Sequence, residues 1–79
     1  MEREEVFRKL ELIFFEVLDI QNIHLEEVTS SDDIDEWDSL AHVQLINQIQ
    51  REFGVKFNAR EMIGWENVGQ MVDSILNKL

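Results

Sequence analysis

The sequence predicts an all-α protein, a small four-helix bundle of three long helices and one short helix with a long loop between helices 1 and 2. Three observations carry that prediction. Apolar residues recur at the i, i+3, i+4 and i+7 spacing of a buried helical face in three separate stretches. Capping residues and glycines (Asp38, Gly54, Asn58, Gly64) stand where those stretches begin and end. Residues 19–38, by contrast, are rich in acids and lose the helical period.

The first stripe is Val6, Phe7, Leu10, Ile13, Phe14, Val17 and Leu18, which defines helix 1 and leaves Leu12 and Phe15 off the buried face. The loop that follows is long for a small domain, and loops of that length are usually functional. Ile23, Leu25, Val28 and Ile34 are spaced along it, so it is expected to be pinned to the helices as an ordered connection. Helix 2 is expected from Ser39 to Phe53, with His42, Leu45, Ile46, Ile49 and Phe53 on one face, Asp38 as its cap and Gly54 as its stop. Asn58 can cap a short turn over residues 59–63 that Gly64 ends. Val68, Met71, Val72, Ile75, Leu76 and Leu79 then form the last stripe, with Glu66 or Asn67 near its cap.

Composition bounds the function. A chain of 79 residues is expected to form one domain over residues 1–79, and at that size roughly 60% of the unfolded chain's surface is buried, so stability should be modest. There is no cysteine to supply a disulfide or a thiolate metal site, and His24 and His42 have no zinc-ligand spacing. An EF-hand loop begun at Asp33 would have Asp38 and Gln44 where glycine and glutamate are required, so no metal site is expected. Seventeen acids against seven bases, a net charge of −10, exclude a nucleic-acid partner. No apolar run is long enough for membrane insertion, and the acidic start Met1, Glu2, Arg3, Glu4, Glu5 is unlike a targeting peptide, so a cytoplasmic monomer is expected.

The chemistry concentrates at Asp38, Ser39 and Leu40, where the acidic loop meets helix 2. A hydroxyl in the first turn of a helix suits attachment of a group, although the same residue could simply cap the helix. Ser39, His42 and Asp38 are the residue types of a hydrolytic triad, but no Gly-x-Ser-x-Gly elbow accompanies them and the chain is too small to enclose a water-free site, so no catalytic residue is expected. Trp37 and Trp65 are each readable as a buried anchor, or, for Trp37 beside Ser39, as an exposed partner contact.

Asp38-Ser39-Leu40, followed by Val43, Leu45 and Glu52-Phe53 within this helix order, resembles the acyl carrier protein family over most of the chain. The resemblance implies that a phosphopantetheinyl transferase places the 4′-phosphopantetheine of coenzyme A on Ser39, and that the protein is no enzyme. It further implies that acyl-loading and acyl-transfer or condensing enzymes of fatty-acid, polyketide or other specialised biosynthesis meet Trp37, Asp38, Leu40, Val43 and Gln44. An acyl chain would shelter among Leu45, Ile46, Ile49, Met62, Ile63 and Val68. Helix 2 departs from the family pattern in being nearly uncharged (Gln44, Asn47, Gln48, Gln50), with the acids moved into the loop. A discrete carrier for a specialised pathway is therefore at least as well supported as a housekeeping one. A peptidyl or D-alanyl carrier, or an unmodified helical interaction domain, are the alternatives.

Overall fold

The computed structural model describes residues 1–79 and contains four α-helices and no strand: α1 (Arg3–Leu18), α2 (Ser39–Phe53), α3 (Ala59–Gly64) and α4 (Val68–Lys78). α1 packs on both α2 and α4. Eighteen buried apolar residues form one cluster, drawn from α1, α2, α4 and the connections, and no polar side chain is buried. The stripes read from the sequence are its substance: Leu10, Ile13 and Phe14 of α1 meet Leu45, Ile46 and Ile49 of α2 and Val68, Met71, Val72 and Ile75 of α4 within it. No helix is long and apolar enough to cross a membrane.

The helix ends follow from local chemistry. α1 begins a turn before its apolar stripe because Glu4 and Glu5 favour the positive end of the helix dipole. Asp38, Asn58 and Asn67 each accept an amide of the first turn of α2, α3 and α4. Gly54 closes α2 with φ +66°, a left-handed conformation that costs glycine little, and its amide donates to the Gln50 carbonyl. Gly64 was expected to stop α3 from outside, but it is the last helical residue, and the chain leaves the helix at Trp65 in an extended conformation.

The loop between α1 and α2 is ordered, as its apolar spacing predicted, and is attached by two means. Leu25 is buried in the core, Ile23 and Ile34 are half-buried against it, and the Leu25 amide donates to the Glu11 carboxylate at 2.9 Å. A turn of 3-10 helix, Ser31–Asp33, breaks the loop, and Asp33 accepts the Ser30 amide at 2.9 Å. Val28, expected to be a fourth pin, is 74% exposed. The attachment there is made by its neighbours' main chain instead: the Gly69 amide donates to the Glu27 carbonyl at 2.9 Å and the Val68 amide to the Thr29 carbonyl at 2.8 Å. These bonds satisfy two orphan donors at the start of α4 and leave the intervening side chain facing solvent.

Candidate functional site

The site lies where the loop delivers the chain into α2. Asp38 is the cap, with Oδ1 accepting the Ala41 amide at 2.8 Å and its carbonyl accepting the His42 amide at 2.9 Å. The second of these is the first bond of the helix ladder, and the first satisfies one of the orphan amides that precede it. Those of Ser39 and Leu40 have no partner in the chain and point out of the positive end of a helix, an arrangement that favours a phosphate. Ser39 is the first residue of α2 and is exposed. Ala41 turns inward to the core, which fixes Ser39, Leu40 and Val43 on the outer side.

Beside Ser39 is an open cleft of about 500 Å³ between the start of α2 and α3. Ser39, Asp38, Trp37 and Val43 line one side, Met62, Ile63 and Trp65 the other, and Ser31 reaches it from the 3-10 turn. Leu40 is 70% exposed on the outer surface of α2, and Gln44 is also exposed; neither lines the cleft. Ile63 is 82% exposed at the rim. Leu45, Ile46, Ile49 and Val68 are in the core rather than at the cleft. The structure thus divides the six apolar residues expected to shelter a chain into two at the mouth and four beneath it.

Trp37 takes the place of a buried anchor and not that of the partner contact expected beside Ser39. Only 8% of its surface is exposed, because the indole inserts edge-on against Phe14 of α1 with ring centroids 5.0 Å apart. Its ring therefore anchors the loop and offers a partner almost nothing. Its Nε1–H donates to His42 Nδ1 at 3.0 Å, and His42 Nε2 lies 2.9 Å from the Met62 carbonyl. Indole nitrogen is a donor only and a carbonyl an acceptor only, so His42 is held as the neutral tautomer with its proton on Nε2. Trp65 is half-buried, donates through Nε1 to Ser74 Oγ at 2.8 Å and meets Phe57 edge-on at 5.0 Å.

These bonds dispose of hydrolytic chemistry. Both nitrogens of His42 are engaged away from Ser39, and the Asp38 carboxylate is engaged by an amide of its own helix. Sequence reasoning brought His42 near Ser39 but did not anticipate that Trp65, Ser31, Glu66 and Asn67 share the cleft with them. For His42 the signal was the spacing, since a residue three places on in a helix lies on the same side as Ser39. Nothing in the sequence brings Ser31 there, because the path of the loop decides it.

An exposed serine at a phosphate-favouring helix start suits the attachment of a group. Comparison with known proteins narrows the class. Residues 9–75 match the family model described as the phosphopantetheine attachment site. An acyl carrier protein of Saccharopolyspora erythraea is 30% identical over 80 aligned positions, covering 98% of this chain and 81% of that protein. The solution NMR structure of holo acyl carrier protein from Geobacter metallireducens superposes with a TM-score of 0.85 at 38% identity, covering 91% of this chain and 83% of that one. The chain belongs to the acyl carrier protein family. It is a carrier and not an enzyme, and its cofactor is a covalently attached 4′-phosphopantetheine. Membership also implies a phosphopantetheinyl transferase and biosynthetic enzymes as its partners.

Proposed function

We infer that Ser39 is the residue that bears the phosphopantetheine, and that residues 1–79 act as one domain carrying acyl intermediates for a specialised biosynthetic pathway. The observation that carries this reading is the exposure of Ser39 at the first position of α2, beside two unpartnered amides and the cleft. When bound, the arm supplies a thiol on which an acyl group rides as a thioester. The chain's own residues do the rest. Asp38 holds the helix start rigid, the Ser39 and Leu40 amides can receive the phosphodiester, and the cleft between α2 and α3 gives the arm a place to lie.

Exposed Leu40, Val43 and Gln44, with Asp38, form the surface that a transferase, a loading enzyme or a condensing enzyme would meet. Glu52 is the only acid on α2, which supports partners that recognise apolar and amide groups there and meet negative charge only at the loop. That pattern favours a specialised pathway over housekeeping fatty-acid synthesis. Leu45, Ile46, Ile49 and Val68 would receive an apolar chain that passes Met62 and Ile63.

The test is intact mass after incubation with coenzyme A, magnesium and a broad-specificity phosphopantetheinyl transferase. Wild type should gain one arm. Ser39→Ala should gain none, and Ser31→Ala, which removes the other serine in the cleft, should gain one like wild type. Modification of Ser39→Ala, or loss of it in Ser31→Ala alone, would show the assignment of Ser39 to be wrong.

A further inference from the structure

We propose that His42 is a positioning residue that latches α3 onto α2, and that the latch governs admission of an acyl chain to the apolar face of α2. The second half rests on the reading that Ser39 bears the arm. The latch itself is a property of the unmodified chain.

α3 is the least anchored helix of the bundle. It has six residues, too few to persist without outside support, and buries none of them fully. At its start Asn58 and Glu61 exchange capping bonds at 2.8 and 3.0 Å, and Glu61 pairs with Lys78 at 3.2 Å. Its C-terminal end has no glycine cap in the left-handed conformation, so the carbonyls of its last turn lack partners within the helix. Met62 supplies one of those carbonyls, and His42 Nε2 reaches it at 2.9 Å from α2. His42 thus caps α3 from a neighbouring helix.

The other nitrogen makes this cap one of fixed tautomer. Trp37 Nε1, on a buried ring, needs an acceptor, and His42 Nδ1 provides it at 3.0 Å, which leaves the imidazole proton on Nε2, facing Met62. Ring contacts hold the imidazole in plane. It stacks on Trp37 at 5.9 Å and 27°, and meets the edge of Trp65, which follows α3, at 6.1 Å. Trp37 is in turn fixed by Phe14, so the link runs from α1 through the loop and α2 to the end of α3.

What the latch closes follows from helix geometry. His42 occupies the same face of α2 as Leu45, Ile46 and Ile49, one and two turns further on. All three are buried, and Met62 and Ile63 stand at the mouth beside Ser39. Parting His42 from Met62 frees the end of α3 and opens that face from the Ser39 end. An acyl chain on Ser39 would thus reach Leu45 and Ile46 by displacing that hydrogen bond and the half-buried Met62 side chain while the α1 contacts stay intact.

Two substitutions separate the two bonds. Asn in place of His42 keeps an acceptor near the Nδ1 position but is too short to reach Met62; Gln places an amide N–H near the Nε2 position and gives up the acceptor for Trp37. In the unmodified protein, nitrogen NMR of the imidazole should show Nε2 protonated and Nδ1 bare. Amide exchange at Met62, Ile63 and Gly64 should speed up by about tenfold in His42→Asn, the effect of losing one well-made hydrogen bond, and by no more than about twofold in His42→Gln. A proton on Nδ1, or equal acceleration in both variants, overturns the latch. An octanoyl arm is then transferred from octanoyl-coenzyme A. It should shift the Leu45, Ile46 and Ile49 amide resonances further in His42→Asn than in His42→Gln or wild type. Equal shifts in all three proteins overturn the gating role. Failure of wild type to accept the arm overturns both the gating role and the Ser39 reading, with the latch still decided by the exchange data.

Discussion

Gly69→Ala should destabilise the protein, against the ordinary effect of removing a glycine from a helix. Alanine inside a helix is usually worth about 0.5–1 kcal/mol over glycine. Here a Cβ on Gly69 would lie 2.5 Å from Glu27 Oε1, 2.8 Å from the Glu27 carbonyl oxygen and 3.2 Å from Asn67 Oδ1. The first contact involves a side chain, but one held by Arg3 through bonds of 2.6 and 2.7 Å. The second involves main chain, and it cannot be relieved without moving the loop. Moving it loses the bonds from Gly69 to Glu27 and from Val68 to Thr29. At about 1 kcal/mol net for each bond, the loss outweighs the helical gain by roughly 1–2 kcal/mol once weakening of the Arg3–Glu27 pair is added. For a domain of this size that lowers Tm by roughly 4–16 °C. Thermal unfolding followed by circular dichroism measures it. Adding Glu27→Ala should not rescue the variant, because the carbonyl contact remains. A Tm at or above wild type for Gly69→Ala would refute the reasoning, since it would mean that helix propensity, and not the approach of the loop, decides the position.

Two further predictions concern the core and acid. Phe14→Ala removes a fully buried ring and the edge-on seat of Trp37, at about 3–5 kcal/mol. Against a total of roughly 4–12 kcal/mol for 79 residues that is at least about a quarter of the stability, and urea titration should show the midpoint lowered in proportion; a loss below about 1 kcal/mol would contradict the packing described. Hydrogen bonding from Arg3 holds the Glu27 carboxyl below the usual glutamate value of 4.5, and the Asn58 amide, aided by Lys78, does the same for Glu61. A carboxyl whose pKa is lower folded than unfolded contributes stability above its unfolded value and loses it as pH falls through the folded one. Tm should therefore fall from about pH 5 towards about pH 3, and Arg3→Met, which removes the first cause at Glu27, should flatten that decline. Both proteins gain similar relief from net negative charge over that range, so the difference between them isolates what Arg3 contributes through its bonds to Glu27 and Asp73. An identical acid limb in Arg3→Met would count against it.

How far the fold was legible depended on whether its determinants were local. The three long helices were, because each presents a period of apolar residues that only one face can bury, and Asp38, Asn58 and Asn67 are residue types whose short polar side chains cap a first turn. The place of Ser39 at the start of α2 was legible for the same reason, as the residue after a cap, whereas the role expected of it came from the family resemblance and the order of the helices. The roles of Gly69 and Val28 were not, because both depend on where the loop crosses the start of α4, a contact between residues some forty positions apart. Trp37 shows the limit most clearly. The sequence allowed it to be a core anchor or an exposed contact, and the choice was made by Phe14 on α1 and by an acceptor on His42, neither of which leaves a pattern around Trp37 itself.

Ser39 is thus positioned by two halves of unequal firmness. On one side Asp38 and Ala41 tie the start of α2 to its own backbone and to the core, and a change of cargo has no cheap way to shift them. On the other, α3 is held by exchanged capping bonds, by one ion pair, and by a hydrogen bond from His42 to an otherwise orphan carbonyl. On the proposed assignment of the arm to Ser39, a carrier needs both properties at that residue. Its partners must find the hydroxyl in a constant place, which the first half provides through hydrogen bonds internal to α2. The group it carries varies in size, and only the second half can yield without unpacking α1 from α2 and α4. That asymmetry follows from length: fifteen residues give α2 a full apolar face to bury, whereas six give α3 only Met62, half-buried against the core, so its place depends more on polar contacts that can be exchanged one at a time.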